Sequence, residues 1–194
     1  MKVLFIDNYD SFASTLAAYV QQAGADVTMM KSDASLNAIH ALQKDLIILG
    51  PGPNGPEEAG NYTDVIAAYH RKTPLFGVCL GFQTLVTFFG GTIHPLNEPA
   101  HGIEAKVTHT GEGLFAGIEN PASFGRYHSL GLYTHECPPE LEVTASSADM
   151  VMGVQHRHYP LAGVQFHPES VLSANHGKKL IENIITSYLP IASR

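Results

Sequence analysis

The sequence predicts an α/β fold, a mostly parallel sheet with helices on both faces plus a β-rich antiparallel excursion, and three observations predict it. Over the first ninety or so residues, short continuous apolar runs alternate with amphipathic stretches. That is the pattern of parallel strands buried on both faces and linked by helices. From about residue 92 to 160 the helical period gives way to short strand-like runs divided by turn signals. The chain then returns through one more apolar strand to a closing helix.

The elements follow in order. Val3-Leu4-Phe5-Ile6 is a strand ending at Asp7, and Ser11 to Ala23 is a helix closed by Gly24. Asp26 to Met30 is a second strand, Leu36 to Leu42 a weaker helix, and Asp45 to Leu49 a very apolar third strand. A helix over Tyr62 to Arg71 leads to strand Pro74 to Val78, then to an apolar helix, Phe82 to Phe89, stopped by Gly90-Gly91. In the excursion, 105–108, 142–145 and 151–154 are strands of an antiparallel unit packed on the α/β core. Strand 161–166 and a helix over His176 to Leu189 close the fold, with residues 190–194 expected to fray.

With 194 residues, 44% hydrophobic and 15% charged, the chain suits a single domain over 1–194 with a substantial core, and no linker or repeat divides it. A net charge of −7 without any basic run excludes a nucleic-acid or anionic-membrane surface. No apolar run reaches the roughly 18 residues of a membrane-spanning helix, and Met1-Lys2 leads straight into a strand, so the expected location is cytoplasmic. Two cysteines make no disulfide framework. Eleven histidines are many, yet no compact ligand spacing occurs, and His156-Arg157-His158 suits a strand end or exposed turn better than a metal. No metal or other cofactor is expected.

Gly77-Val78-Cys79-Leu80-Gly81 places a cysteine between two glycines where a strand turns into a helix. Such a turn leaves no room for a Cβ on its flanks and holds a nucleophile out in a strained position. The helix start favours thiolate, and the N–H of Leu80 can meet an oxyanion. Alone, the pentapeptide equally fits a buried structural cysteine. Near the other end, an apolar strand runs into His167-Pro168-Glu169. In extended backbone the two side chains project to one side, so Glu169 can orient His167 and stabilise its imidazolium. Alone this is a surface turn, but beside Cys79 it completes a Cys–His–Glu set in which the imidazole takes the thiol proton. A third piece, Gly50-Pro51-Gly52-Pro53-Asn54-Gly55-Pro56, follows the strand ending at Leu49 and is stiff and sterically bare. It can present main-chain N–H groups to a substrate, or serve as an ordinary turn. All three pieces fall at carboxyl ends of strands, where ligands gather in parallel sheets.

Together with Gln83 and the opening Ile6-Asp7-Asn8-Tyr9-Asp10-Ser11-Phe12, these motifs resemble the class I (triad) glutamine amidotransferases over essentially the whole chain. Glu57-Glu58-Ala59-Gly60, His101-Gly102, residues 111–115 and Arg126 to Leu130 look most like the small subunits of anthranilate synthase and aminodeoxychorismate synthase. The resemblance implies a flavodoxin-like sheet and a reaction. Cys79 attacks the side-chain amide of L-glutamine, the N–H groups of Gly52 and Leu80 hold the oxyanion, and His167 protonates the departing ammonia. Water then hydrolyses the glutamyl thioester, while ammonia passes to a large chorismate-binding synthase subunit, to which any magnesium requirement belongs. Gly52, Pro53, Asn54, Gln83, Ser129 and Leu130 would hold the glutamine, Ser129 and Leu130 largely through backbone; without the resemblance, those two simply begin a strand. His128 is assigned to structure or substrate-side packing.

Four positions depart from the family pattern: Phe82 for histidine, Asn54 for glycine, Gly50 for serine and Ile103 for lysine. None removes a triad member, and asparagine tolerates a left-handed backbone at 54. Phe82 bears on activity near the nucleophile and Ile103 on the partner contact. Two alternatives stand beside the amidotransferase: a non-catalytic subunit that stabilises its partner, and a triad cysteine hydrolase of another γ-glutamyl or peptide substrate.

Overall fold

Alternate residues of the first strand, β1 (Lys2–Asp7), enter two different cores, because a strand sends successive side chains to opposite faces. Val3 and Phe5 join one core and Leu4 and Ile6 the other. The same division holds in β3 (Leu46–Leu49) and β4 (Leu75–Val78), whose residues are buried throughout. This is why these segments are continuously apolar in sequence. The computed structural model describes residues 1–188; Leu189, expected to end the last helix, and 190–194, expected to fray, lie outside the described residues.

β2 (Asp26–Lys31), β1, β3, β4 and β9 (Leu161–Val164) pair in parallel in that spatial order. The helices α1 (Ala13–Gln22) and α5 (Ala174–Asn183) cover one face. The other is covered by α2 (Leu36–Ala41), α3 (Tyr62–Tyr69) and α4 (Leu80–Phe88). The parallel α/β sheet with helices on both faces is therefore as expected. α4 begins at Leu80 rather than Phe82, directly after Cys79. A π-helical turn, Ile184–Tyr188, continues α5. No helix among the described residues is long and apolar enough to cross a membrane.

The excursion differs from the expected unit packed on the core. It continues the same sheet: β8 (Met150–His156) pairs antiparallel with β9, β7 (Leu141–Ser147) with β8, and β5 (His94–His109) with β7. The ninth strand, β6 (Ala122–Gly131), pairs with β5. β5 has 16 residues although only 105–108 has a strand-like sequence. Pro95, Pro99 and Gly102 interrupt the pattern, and register shifts between Pro95 and Ala100 and between His101 and Ile103 absorb them as bulges.

Candidate functional site

The parallel pairing brings the carboxyl ends of β1, β3, β4 and β9 to one edge of the sheet. Each strand delivers a piece of the site there. At the end of β4, Cys79 has φ 52° and ψ −103°, a conformation that L-residues rarely adopt and that turns the chain abruptly into α4. The turn is possible because its flanks are glycine. A Cβ on Gly77 would lie 2.5 Å from the Gly81 carbonyl carbon, and one on Gly81 would lie 2.1 Å from the Leu49 carbonyl oxygen. Leu80 opens α4, so its N–H has no acceptor within the helix.

The loop after β3 is pinned by Tyr62, whose buried hydroxyl donates toward the carbonyls of Ile6 (2.8 Å) and Gly50 (3.1 Å). Gly52 packs so tightly that a Cβ would lie 2.6 Å from a Leu80 methyl and 2.7 Å from the Asn8 amide. Residues 52 and 80 are thus neighbours. Asn54 has φ 64°, the left-handed conformation that asparagine tolerates. Its amide donates to Glu58 at 3.0 Å.

Beyond β9, His167 Nδ1 lies 2.7 Å from Glu169 Oε1, both side chains buried. The geometry is not the extended one expected. Residues 168 and 169 form a turn closed by Ser170 N–H on the His167 carbonyl (3.2 Å), and the turn folds the carboxylate back onto the ring. His167 itself bridges β6, donating its N–H to the Gly125 carbonyl at 2.9 Å. Phe12 and Tyr127 pack against the imidazole with ring centroids at 5.1 and 5.2 Å. Burial alone pushes the His167 pKa down, but the nearby charge of Cys79 and then the bond to Glu169 outweigh it and leave it well above the usual value. With Nδ1 held by Glu169, the buried Nε2 is the ring atom left to interact with Cys79.

A cavity of about 150 Å³ is lined by Gly52 to Asn54, by Cys79 and Gln83, and by Tyr127 to Leu130. The glutamine-site residues expected from sequence, Gly52, Pro53, Asn54, Gln83, Ser129 and Leu130, therefore share one small cavity with Cys79. Ser129 and Leu130 lie near the end of β6 and do not begin a strand. A larger groove of about 550 Å³ shares Leu130, but contributes only threonine hydroxyls and Glu57 as polar side chains and does not include Cys79. Phe82 does not line the cavity; it is fully buried in the second core, with Leu80, Leu85 and Val86. The polar group expected there is replaced by packing.

Two features went unread in sequence, and the structure gives the partners of His128, which was expected in structure or substrate-side packing. Gln165, fully buried, donates to the Cys79 sulfur at 3.6 Å; its signal was a lone amide in an apolar strand. Ser173 accepts from Gly125 N–H (3.0 Å) and donates to the His167 carbonyl (2.5 Å), holding the histidine's backbone instead of capping α5. His128 accepts from Arg126 Nε at Nε2 (2.9 Å) and donates from Nδ1 to the Leu130 carbonyl (2.8 Å). Burial, with Arg126 nearby, lowers its pKa to about 4, so it is neutral at pH 7. Among the described residues, no group of three or more His, Cys, Asp or Glu is arranged to hold a metal.

The arrangement can generate a thiolate beside an imidazolium, with main-chain donors nearby for a developing oxyanion. The family described as Glutamine amidotransferase class-I matches residues 4–187. An Escherichia coli K12 protein, aminodeoxychorismate synthase component 2, is 44% identical over 94% of this chain and 98% of its own length. An anthranilate synthase of Azospirillum brasilense is 44% identical over 92% of this chain, which spans only 25% of that longer protein. A solved GMP synthase subunit from Thermoplasma acidophilum has the same fold, with a TM-score of 0.84 at 24% identity over 95% of this chain and 92% of its own.

Proposed function

Because this chain belongs to the class-I glutamine amidotransferases, we propose that it is a glutaminase component, one amidotransferase domain that hydrolyses L-glutamine and hands ammonia to a chorismate-using synthase. The observation that carries this reading is the buried His167–Glu169 pair at 2.7 Å, whose ring also interacts with Cys79 at the start of α4. In the reaction, the Cys79 thiolate attacks the amide carbon of glutamine, and the carbonyl π-electrons move onto oxygen. The N–H groups of Gly52 and Leu80 stabilise that oxyanion. Collapse breaks the C–N bond, and the His167 imidazolium gives its proton to the departing ammonia. Neutral His167 then takes a proton from water, whose oxygen attacks the thioester. Glutamate leaves and the thiolate returns. Glu169 holds the ring with Nε2 directed to the chemistry and balances its charge.

The size of the cavity supports a single small amino acid. About 150 Å³ is well below the roughly 300–1,000 Å³ of pockets for drug-sized ligands, so a peptide substrate is disfavoured. A thiol nucleophile also suits a reducing, cytoplasmic setting. The names of the two relatives support a chorismate-using partner and leave two products in play, aminodeoxychorismate and anthranilate. Ile103 (50% exposed), opposite Arg126 on β6, and Val171 (85%), two residues after Glu169, supply exposed apolar side chains of the kind a docking face needs.

The test is glutamate release from glutamine by the chain mixed with each candidate chorismate-binding partner plus chorismate, with Cys79→Ser as control. Release that requires Cys79 and rises with one partner supports the reading and selects the pathway. No release with any partner overturns it in favour of a stabilising subunit or a different substrate.

A further inference from the structure

A main-chain carbonyl can only accept a hydrogen bond, and one such carbonyl sets the polarity of a buried relay that ends on the nucleophile. The Leu130 oxygen accepts from Gln83 Nε2 at 3.2 Å. The Gln83 amide must therefore turn its nitrogen to that side, and the same nitrogen donates to Gln165 Oε1 at 3.1 Å. With its oxygen committed to Gln83, Gln165 has only its nitrogen left to face Cys79, and Nε2 lies 3.6 Å from the sulfur. Neither amide can flip without placing two donors or two acceptors against each other in a buried site. The Leu130 oxygen also takes the Nδ1 proton of His128, which fixes that ring's tautomer and leaves Nε2 to accept from Arg126.

We propose that Gln165 is a catalytic residue: it donates an N–H to the Cys79 sulfur in an orientation dictated by Gln83 and the Leu130 carbonyl, and so stabilises the thiolate as nucleophile and as the group released from the thioester. The inference rests on Cys79 being the nucleophile. The donor is charge-assisted whenever the sulfur is anionic and weak when it is acylated, so its contribution is concentrated where the thiolate forms or leaves. It also explains a fully buried amide just beyond β9, in an otherwise apolar run. A residue placed there only to fill space would be aliphatic.

The test is the rate at which iodoacetamide alkylates Cys79, which requires neither glutamine nor a partner and so is independent of the reaction assigned above. Gln165→Leu removes the donor, and alkylation at pH 7 is expected to fall about three- to tenfold. Gln165→Glu keeps the shape and the acceptor for Gln83, so it carries the test if the leucine variant does not fold. It presents an N–H-like donor only while protonated. Its rate relative to the parent is therefore expected to fall progressively from pH 6 to pH 8.5, the trend of a carboxylate repelling a thiolate. In glutamine turnover, both variants lower kcat while KM stays within about twofold. Parent-like alkylation in Gln165→Leu, or a Gln165→Glu deficit that does not change with pH, overturns the proposal. So does a raised KM with unchanged alkylation, which would make Gln165 only a prop for Gln83.

Discussion

Two buried histidines, His128 on the cavity wall and His167 beyond β9, have opposite charge preferences, and each makes a titration prediction. The neighbourhood of Cys79 and Glu169 raises the His167 pKa against its burial, so its protonated form contributes stability fully below about pH 6.5 and loses it as the pH climbs through the folded value. Cys79→Ser removes a raising cause, and the NMR midpoint of His167 is expected to fall in that variant. Glu169→Gln is expected to lower kcat on the order of 10³–10⁴-fold with little change in KM, measured as glutamate release with the partner present. His128 behaves in the opposite sense. A ring held neutral down to about pH 4 costs stability as the pH falls from about 6.5, because the unfolded chain takes up the proton first. The loss reaches up to about 3 kcal/mol, and denaturation of His128→Asn against the parent at pH 7 and pH 4.5 should show the difference shrinking at acid pH by that order. Cys79, His167 and Glu169 were legible in sequence because their residue types and spacing are chemical signals. Gln165 and Ser173 were not, since an amide and a hydroxyl take their meaning from what the fold sets against them.

Short, doubly buried strands were the easiest elements to read, because both faces demand apolar side chains and the glycines mark each turn. β5 was the hardest: its prolines and Gly102 are punctuation in sequence and bulges in the sheet. The histidine turn shows how one element serves another. Gly177 in α5 packs on it so closely that a Cβ would lie 1.9 Å from the Pro168 carbonyl oxygen. Gly177→Ala must therefore push the helix away from the turn. We expect a loss of about 1–3 kcal/mol in denaturant unfolding together with a lower kcat, because the displaced turn carries both His167 and Glu169. Propensity alone predicts the reverse, since alanine favours a helix over glycine by about 1 kcal/mol.

The molecule as a whole collects pieces from residues 52, 79 and 167 because parallel strands finish at one edge, and this much followed from the alternation of strands and helices. What did not follow was that the antiparallel strands extend the same sheet, so that β6 swings back to bridge His167. The exposed side chain of Ile103 on β5 is open to test. Ile103→Asp is expected to weaken association with the chorismate-binding partner about tenfold or more in a titration, and to leave iodoacetamide labelling of Cys79 unchanged. The bend at Cys79 has a further consequence. A side chain held at φ 52° costs on the order of 1–3 kcal/mol that a glycine would not incur. Cys79→Gly should therefore melt at a higher temperature than the parent while hydrolysing nothing, and random selection for heat tolerance alone would tend to discard the thiol.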